Sequence, residues 1–439
     1  MDILLLLGLI FYLSITYYIL RKETLVIVLF FSSFLMQLTS YISVFYLDHG
    51  DVYMAELDTY SKNSYISLLL LIFYISTTLI FYILYFLNKS KIINYKDNVK
   101  YVKLKNTNIW IIIFFVISII LIANIIVSGS PLWVEGINKT TFWTIAKYNF
   151  LKPISSQIPA IALFSGMFLV YNHQHDKSKL ISFALYMILF LLLSYLLLMG
   201  HKFGQLLNLI YMFFLPIMAL KILNKTFNVN KIITILLLII SLLFIAVFNY
   251  YETKYGTNAF SMIKQRIFAM DGQVIYISFT SYLNGEISNN FDQLILEIEY
   301  IFGSHSDSYV GMKYLMDMYM QSSLFDFYEK ESVMLAKAYI PILFHYFNSF
   351  IIALIVHILF IITYFFIAFQ FLKYIIKFDF VLTFLYMKLY YAFLGYYAQG
   401  YTTIILNNKT LVYVLLILFI MMLRKITVKA EKYAVITDN

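Results

Sequence analysis

Several groups of residues have the types and the spacing that binding of an anionic substrate would need. The first is GHKFG at positions 200–204, where His201 and Lys202 lie between two glycines in a connection of a few residues between two apolar runs. A tight turn of this kind would hold Lys202 at a membrane surface, near the level of a lipid phosphate. The alternative is that the glycines simply form a hairpin and the Lys202 ammonium group reaches water.

A second group lies in segment 128–152, where Trp133 and Trp143 flank Lys139 and Lys147 follows. Indole rings suit the headgroup layer of a membrane, and they also stack on the apolar faces of sugar rings. Lysines in the same segment offer positive charge to a phosphate or diphosphate. Two interpretations stay open, namely an interfacial aromatic belt and a binding site for a saccharide lipid.

Two further groups lie in one long polar segment. KQRIFAMDGQ contains Arg266, and arginine presents a fixed fork of donors to a phosphate or carboxylate. An ion pair between Arg266 and a nearby acid such as Asp271 is the alternative. FGSHSDSY at 302–309 contains His305 and Asp307. A histidine could hold an acceptor hydroxyl or accept its proton without a metal, although a histidine in a polar loop is often merely solvated.

A metal site has weaker support. Asp48, His49, Asp51, Glu56 and Asp58 form a compact acidic cluster near the end of an apolar run, and Glu56 with Asp58 could hold a divalent cation beside a diphosphate. The sequence has no GxxxxGK[ST], no HExxH and no cysteine. Nucleotide-driven, zinc-protease and thiolate chemistries therefore lose support, and we expect neither a metal nor a cofactor.

The elements that must position these residues are membrane spans. Of 439 residues, 62% are hydrophobic and 13% are charged, which is more apolar surface than a soluble core of this length can bury. We predict an all-α polytopic integral membrane protein with about 11 transmembrane helices. The apolar runs lie near residues 2–20, 25–47, 64–87, 109–127, 153–171, 180–199, 205–223, 232–249, 342–372, 378–397 and 403–423.

Lysine and arginine predict the orientation. When loops alternate between two sides, most of these residues fall on one side, which the positive-inside rule makes cytoplasmic. The net charge of +9 is then explained without a nucleic-acid partner. We divide the chain into a first transmembrane bundle of about eight spans, a long periplasmic loop with short interfacial helices, and about three C-terminal spans with a short cytoplasmic tail. Their respective boundaries are 1–249, 250–341 and 342–439.

Taken together, these features resemble the Wzy-type O-antigen or capsule repeat-unit polymerases, which belong to the O-antigen polymerase and ligase superfamily. In that superfamily a GSRG-like element stands at the outer end of a mid-chain span, and GHKFG is similar to it with Lys202 in the arginine place. The ligases carry a histidine in the long periplasmic loop, where His305 sits comparably. The sequence departs from the R-x10-G pattern of the family, because Ile277 stands where the glycine would follow Arg266.

The resemblance implies a GT-C-like architecture and glycosyl transfer at the periplasmic face of a bacterial inner membrane. The donor would be a growing glycan on undecaprenyl diphosphate, and the acceptor a sugar hydroxyl of a fresh lipid-linked repeat unit. The step would invert the anomeric centre without a metal. Expected partners are this undecaprenyl-diphosphate-linked oligosaccharide, the lipid bilayer and a chain-length regulator protein.

The resemblance also implies roles for individual residues. Cations would stabilise the charge that the leaving diphosphate gains. The expected assignments are Lys202 and Arg266 for the leaving diphosphate, Lys139 and Lys147 for either lipid diphosphate, His305 with Asp307 for the acceptor hydroxyl, and Trp133, Trp143 and His201 for substrate binding.

Three alternatives stay open. An O-antigen ligase would use the same chemistry with lipid A core as the acceptor. A metal-dependent glycosyltransferase using a polyprenyl-phosphate sugar would rely on Glu56 and Asp58. A flippase for lipid-linked oligosaccharides, or another transporter, would place ionisable residues in the middle of spans, and Lys388 is the clearest such residue.

Overall fold

A computed structural model describes most of the chain. The described residues are 3–97, 104, 106–131, 133–134, 141–175, 177–201, 203–228, 230, five single positions between 241 and 256, 259–287, 291–301, 309–330 and 337–437. Arg266 belongs to the described backbone, but its side chain lies outside the description.

Helices make up most of these residues. The first half contains α1 (Ile3–Lys22), α2 (Thr24–Leu29), α3 (Phe31–Leu47), α4 (Ile66–Asp97), α5 (Thr107–Ser128), α6 (Phe142–Ile145), α7 (Lys152–Ser155), α8 (Ile158–Gln174), α9 (Lys179–Leu198) and α10 (Phe203–Leu223). Between α3 and α4, strands β1 (Tyr53–Met54) and β2 (Thr59–Tyr60) form an antiparallel ribbon that pairs Tyr53 with Tyr60.

The second half alternates short and long helices. They are α11 (Ala259–Phe268), α12 (Gln273–Leu283), α13 (Phe291–Ile301), α14 (Gly311–Tyr319), α15 (Ser322–Lys330), α16 (Tyr339–Phe347), α17 (Phe350–Ile376), α18 (Phe380–Gln399), α19 (Thr402–Ile405) and α20 (Asn408–Thr437). Short 3₁₀ turns cover Asn149–Leu151 and Met270–Gly272.

Within the described residues, seven helices are long and apolar enough to cross a membrane, or eight if the bent pair Asn149–Ser155 and Ile158–Gln174 forms one span. The seven are Ile3–Lys22, Ile66–Ile92, Thr107–Ser128, Lys179–Leu198, Gly204–Leu223, Phe350–Ile376 and Thr402–Ile426. The chain is therefore an all-α, multi-pass membrane protein.

The count of 11 stays a prediction. The predicted span 232–249 lies mostly outside the described residues. The predicted span 25–47 is divided between α2 and α3, and α3 has only 17 residues. The predicted span 378–397 corresponds to α18, a helix of 20 residues whose tyrosines and Lys388 make it less apolar than the seven.

Close helix contacts hold the bundle together. Gly166 of α8 lies so near α10 that an added Cβ would come within 2.0 Å of the Phe213 carbonyl oxygen. Since helices surrounded by lipid gain no hydrophobic energy from associating, small residues that permit close van der Waals packing are used at their interfaces. Gly166 therefore sets the distance between α8 and α10.

The bundle has two ends with different partners. Helices α4 and α17 run side by side in the same direction, because the Thr77 hydroxyl lies 2.9 Å from His357 Nε2 and the Phe81 ring packs on Tyr364. At the end where both helices start, described residues between 259 and 337 contact segment 48–63 and the turn at 401–402, and we call it the capped end. At the opposite end, salt bridges join Lys89 to Glu23 and Arg424 to Asp379.

The long segment packs directly onto the bundle at the capped end. The Ser43 hydroxyl of α3 donates to the Ala269 carbonyl oxygen at 3.0 Å. A Cβ on Gly272 would lie 2.7 Å from Ser43 Oγ and 2.8 Å from the Val44 nitrogen, so only glycine permits this approach. The following helix α12 buries Val274, Ile275 and Phe279. The placement of this segment on the periplasmic side stays a prediction.

We predict that Gly272→Ala lowers the stability of the folded protein by about 1–3 kcal/mol, because its methyl group would overlap α3. Thermal unfolding of the purified protein in detergent measures the loss. Gly204→Ala is the matched control, since a Cβ there meets nothing within 4 Å. Equal melting temperatures for the two variants would contradict this account of how the segment docks.

Candidate functional site

A small polar cleft lies between the capped end and the bundle interior. Its volume is about 20 Å³, which is room for about one water molecule. It is lined by residues of α3, α4, α12, α16 and α18 and by Lys337, which lies two positions before α16. These residues are Met36, Gln37, Ser40, Tyr74, Ile275, Lys337, Tyr339, Ile340 and Tyr397. The cleft is thus too small for a sugar or a phosphate group.

Lys337 closes the cleft from the side of the long segment. Only 10% of its side chain is exposed, and its Nζ donates to Asp271 Oδ2 and to Thr39 Oγ1, each at 2.5 Å. Burial lowers the pKa of Lys337, and the attraction of Asp271 opposes that change. Asp271 is 38% exposed, so the cation of the pair is hidden while the anion still contacts water.

The backbone at Lys337 is held by its surroundings. Lys337 has a φ of +76°, a left-handed conformation that costs a non-glycine residue about 1–3 kcal/mol. The next residue, Ala338, donates its N–H to the Ala398 carbonyl oxygen at 2.9 Å. Gly400 makes this approach possible, because a Cβ there would lie 3.2 Å from the Ala338 carbonyl oxygen. The turn after α18 therefore determines where Lys337 points.

A buried hydrogen-bond chain forms the inner wall. The Tyr12 hydroxyl donates to Gln37 Oε1 at 2.8 Å, and Gln37 Nε2 donates to the Tyr397 hydroxyl at 2.8 Å. The Tyr339 hydroxyl also lines the cleft, is buried, and has no hydrogen-bond partner in the part of the chain that is described. A buried unpaired hydroxyl calls for a water or a ligand atom nearby.

This arrangement suits a phosphorylated, hydroxyl-rich ligand. Lys337 supplies a cation that can bind phosphate in place of Asp271. The Gln37 amide and the tyrosine hydroxyls supply neutral hydrogen-bond groups, and the aromatic rings supply apolar faces for a sugar ring. Because the cleft now holds one water at most, such a ligand requires that Asp271 and Lys337 separate.

Four residues predicted for the site lie among the described residues, in a different place. Trp133 is 72% exposed, Lys147 is exposed, and Trp143 and His201 are half-buried. The Trp143 ring meets the buried Phe142 ring at 5.1 Å. None of the four lines the Lys337 cleft.

The structure does bring the loop of Trp133 to the GHKFG turn. The Ser130 hydroxyl donates to the Leu198 carbonyl oxygen at 2.6 Å, close to His201 in the chain. The Lys147 N–H donates to the Ser128 hydroxyl at 3.0 Å, which ties the second half of the loop to the end of α5. Described residues of segments 128–148 and 198–201 thus contact each other, and a role of these residues in substrate binding stays a prediction.

The other predicted residues cannot be placed in the same way. Lys139, Lys202, His305 and Asp307 lie outside the described residues. Arg266 lies on α11, and only its backbone is described. Their predicted roles stay predictions.

The acidic cluster of segment 48–58 has hydrogen-bonding roles. Asp48 accepts the backbone N–H groups of Ile66 and Ser67 at the start of α4. Glu56 is buried and accepts from the Tyr328 hydroxyl at 3.0 Å, and Asp58 accepts from the Tyr53 hydroxyl at 2.6 Å. Among the residues with described positions, no three His, Asp or Glu side chains gather as metal ligands would.

Comparison with known proteins gives one match. The model of DUF6418, a family of unknown function, matches residues 305–414. No curated protein and no solved structure matches the chain significantly. The matched segment includes Lys337, Tyr339 and Tyr397 of the cleft, so the similarity covers part of the candidate site without assigning it a function.

We predict that Asp271→Asn destabilises the protein more than Lys337→Met does. Asp271→Asn leaves a buried cation without its counter-charge, at a cost of up to about 3–5 kcal/mol. Lys337→Met removes that charge, and the half-exposed Asp271 can return to water. Thermal unfolding of both variants and of the double variant in detergent gives the comparison. A larger loss in Lys337→Met would contradict the proposed asymmetry.

The same pair predicts a pH dependence. Without Asp271 the burial of Lys337 holds its pKa further below the ordinary lysine value of 10.5. In the folded variant the pKa of Lys337 is lowered, whereas in the unfolded chain it has its ordinary value of 10.5. Between these two values the unfolded chain binds more protons than the folded protein, so the free energy of unfolding rises with pH. The destabilisation of Asp271→Asn should therefore shrink as the pH is raised from neutral towards 10. A destabilisation that grows over this range would refute the prediction.

Proposed function

We propose that this protein is a membrane glycosyltransferase that polymerises a bacterial surface polysaccharide, O-antigen or capsule. It transfers a growing glycan from undecaprenyl diphosphate to a sugar hydroxyl of a lipid-linked repeat unit, at the outer face of the inner membrane. The observation that supports this most is the buried Lys337 in a polar cleft that lies where the extramembrane segments meet the bundle. In that position the Lys337 ammonium group can bind an anionic lipid group that reaches the cleft.

The reaction needs positive charge more than it needs a strong base. As the bond between the anomeric carbon and the diphosphate oxygen breaks, negative charge grows on the diphosphate, and a fixed cation stabilises it. Such stabilisation is stronger in a site shielded from water than at an exposed surface. Lys337 meets this requirement, since its side chain is nearly buried and its present partner, Asp271, can be exchanged for phosphate.

The remaining assignments follow the family that the sequence resembles. The acceptor oxygen attacks the anomeric carbon from the face opposite the diphosphate, which inverts the configuration, and its proton passes to His305 with the help of Asp307. In addition to Lys337, we assign four cations to the two diphosphates, namely Lys139, Lys147, Lys202 and Arg266. Those that we assign to the saccharide are Trp133, Trp143 and His201.

A transporter of lipid-linked oligosaccharides is the second candidate. Lys388 near the middle of α18 and the buried chain Tyr12–Gln37–Tyr397 are polar groups inside the bundle, and such groups mark transport pathways in many membrane proteins. The two functions differ in one product. A polymerase makes a new glycosidic bond, whereas a transporter moves the lipid across the membrane unchanged.

The test uses purified protein in vesicles with a lipid-diphosphate-linked repeat unit. We predict that Lys337→Met lowers the rate of chain extension by about 100-fold or more, that Lys337→Arg keeps part of it, and that EDTA has no effect. Lys313→Met is the matched control, because Lys313 belongs to the same long segment but pairs with Glu329 and does not line the cleft.

Wild-type extension by a folded Lys337→Met protein would refute the proposed role of Lys337. Movement of the labelled lipid across the vesicle membrane without any new glycosidic bond would refute the polymerase and favour the transporter. Loss of extension in EDTA that Mg²⁺ restores would favour the metal-dependent alternative. Transfer to lipid A core in place of a repeat unit would identify a ligase.

A further inference from the structure

A second cavity lies within the bundle between α5, α8 and α18. Its volume is about 340 Å³, far larger than the Lys337 cleft, and its lining is almost wholly apolar. The main contributors are the rings of Trp110, Phe114, Phe164, Phe168, Phe380 and Phe384. Water is disfavoured in an apolar cavity, because it finds too few hydrogen-bond partners there. Since these helices lie in a membrane, a hydrocarbon chain is its natural occupant.

A lysine stands at the rim of this cavity. Lys388 follows Phe384 by one helical turn, and its Nζ lies 5.2 Å from the centroid of the Phe384 ring. Helical side chains lean towards the N-terminus of their helix, so the ammonium group lies nearer the start of α18 than its own Cα does. That start, at Phe380, belongs to the end of the bundle opposite the capped end.

The described residues give Lys388 no salt-bridge partner. In the apolar runs of the sequence, the acidic residues are Asp2, at the beginning of the run 2–20, and Asp379, at the beginning of the run 378–397. Asp379 already accepts from Arg424 and from the Leu382 N–H. An ammonium group inside a bundle without a counter-charge is costly, so an anionic ligand beside Lys388 would stabilise it.

We propose that the cavity binds an anionic phospholipid of the surrounding bilayer. Its acyl chain fills the space between α5, α8 and α18, and its phosphate group pairs with Lys388. The apolar volume and the cation both lie beside Phe384, so one ligand with an acyl chain and an anionic group can contact both. Lys373, in the last turn of α17, and Lys377, in the connection before α18, add positive charge at the same end. This site is separate from the Lys337 cleft and does not depend on the proposed function.

Trp110 reports on the cavity. The chain has three tryptophans, so the double variant Trp133→Phe, Trp143→Phe leaves Trp110 as the only indole. The protein is reconstituted in phosphatidylcholine vesicles that contain a low mole fraction of phosphatidylglycerol or phosphatidylcholine with brominated chains. Bromine quenches indole fluorescence on contact. We expect brominated phosphatidylglycerol to reach half-maximal quenching at a several-fold lower mole fraction than brominated phosphatidylcholine.

Two substitutions at position 388 complete the test. Lys388→Met should abolish the preference for the anionic lipid, and Lys388→Arg should retain it. Thermal unfolding in the same vesicles verifies that both variants are folded. Equal quenching by the two lipids, or a preference that survives in Lys388→Met, would overturn the proposal. Displacement of the brominated lipid by polyprenyl phosphate at a lower mole fraction than by phosphatidylglycerol would overturn it too, since the occupant would then be a carrier lipid.

Discussion

The ion pair between Lys337 and Asp271 is the interaction on which the capped end depends. Moving a lysine ammonium group out of water costs several kcal/mol unless a counter-charge and hydrogen bonds offset the loss. Here Asp271 supplies the charge and Thr39 of α3 accepts a second hydrogen bond. The three residues belong to three separate stretches of the chain. Their contact therefore fixes the long segment to the bundle at the place where the cleft opens.

This arrangement couples closure to ligand binding. The cation that would bind a phosphate is the same cation that keeps the long segment closed, so phosphate and Asp271 compete for Lys337. Behind Lys337, both polar atoms of the Gln37 amide have hydrogen-bond partners, namely Tyr12 and Tyr397. We therefore expect that wall to stay in place while the segment that carries Asp271 moves.

Composition predicted the class of the protein because its physical basis is local. A run of about 20 apolar residues is long enough to cross a bilayer as a helix wherever it occurs, and seven helices meet that description among the described residues. Spans such as α18 are harder to count, since a tyrosine-rich helix inside a bundle need not be strongly apolar. The break between α2 and α3 at Phe30 has no proline or glycine to announce it.

The residues of the candidate site are harder to predict from the sequence than the class of the protein. The sequence does not distinguish Lys337 from other cations of the long segment, because its burial results from contacts with residues 66 and 298 positions away in the chain. Asp48 belongs to the local cluster of acids at 48–58, and such a cluster does not reveal that one of its members caps α4. Nor does the sequence show that Ser130 donates to Leu198 beside the GHKFG turn, a contact that does not line the Lys337 cleft.

The most direct test of the central claim is a cryo-electron microscopy structure of the protein with a bound lipid diphosphate. The account predicts density for a phosphate oxygen about 2.7–2.9 Å from Lys337 Nζ, with Asp271 turned away and the cleft enlarged. An unbroken Lys337–Asp271 pair, with the diphosphate bound elsewhere on the protein, would contradict it.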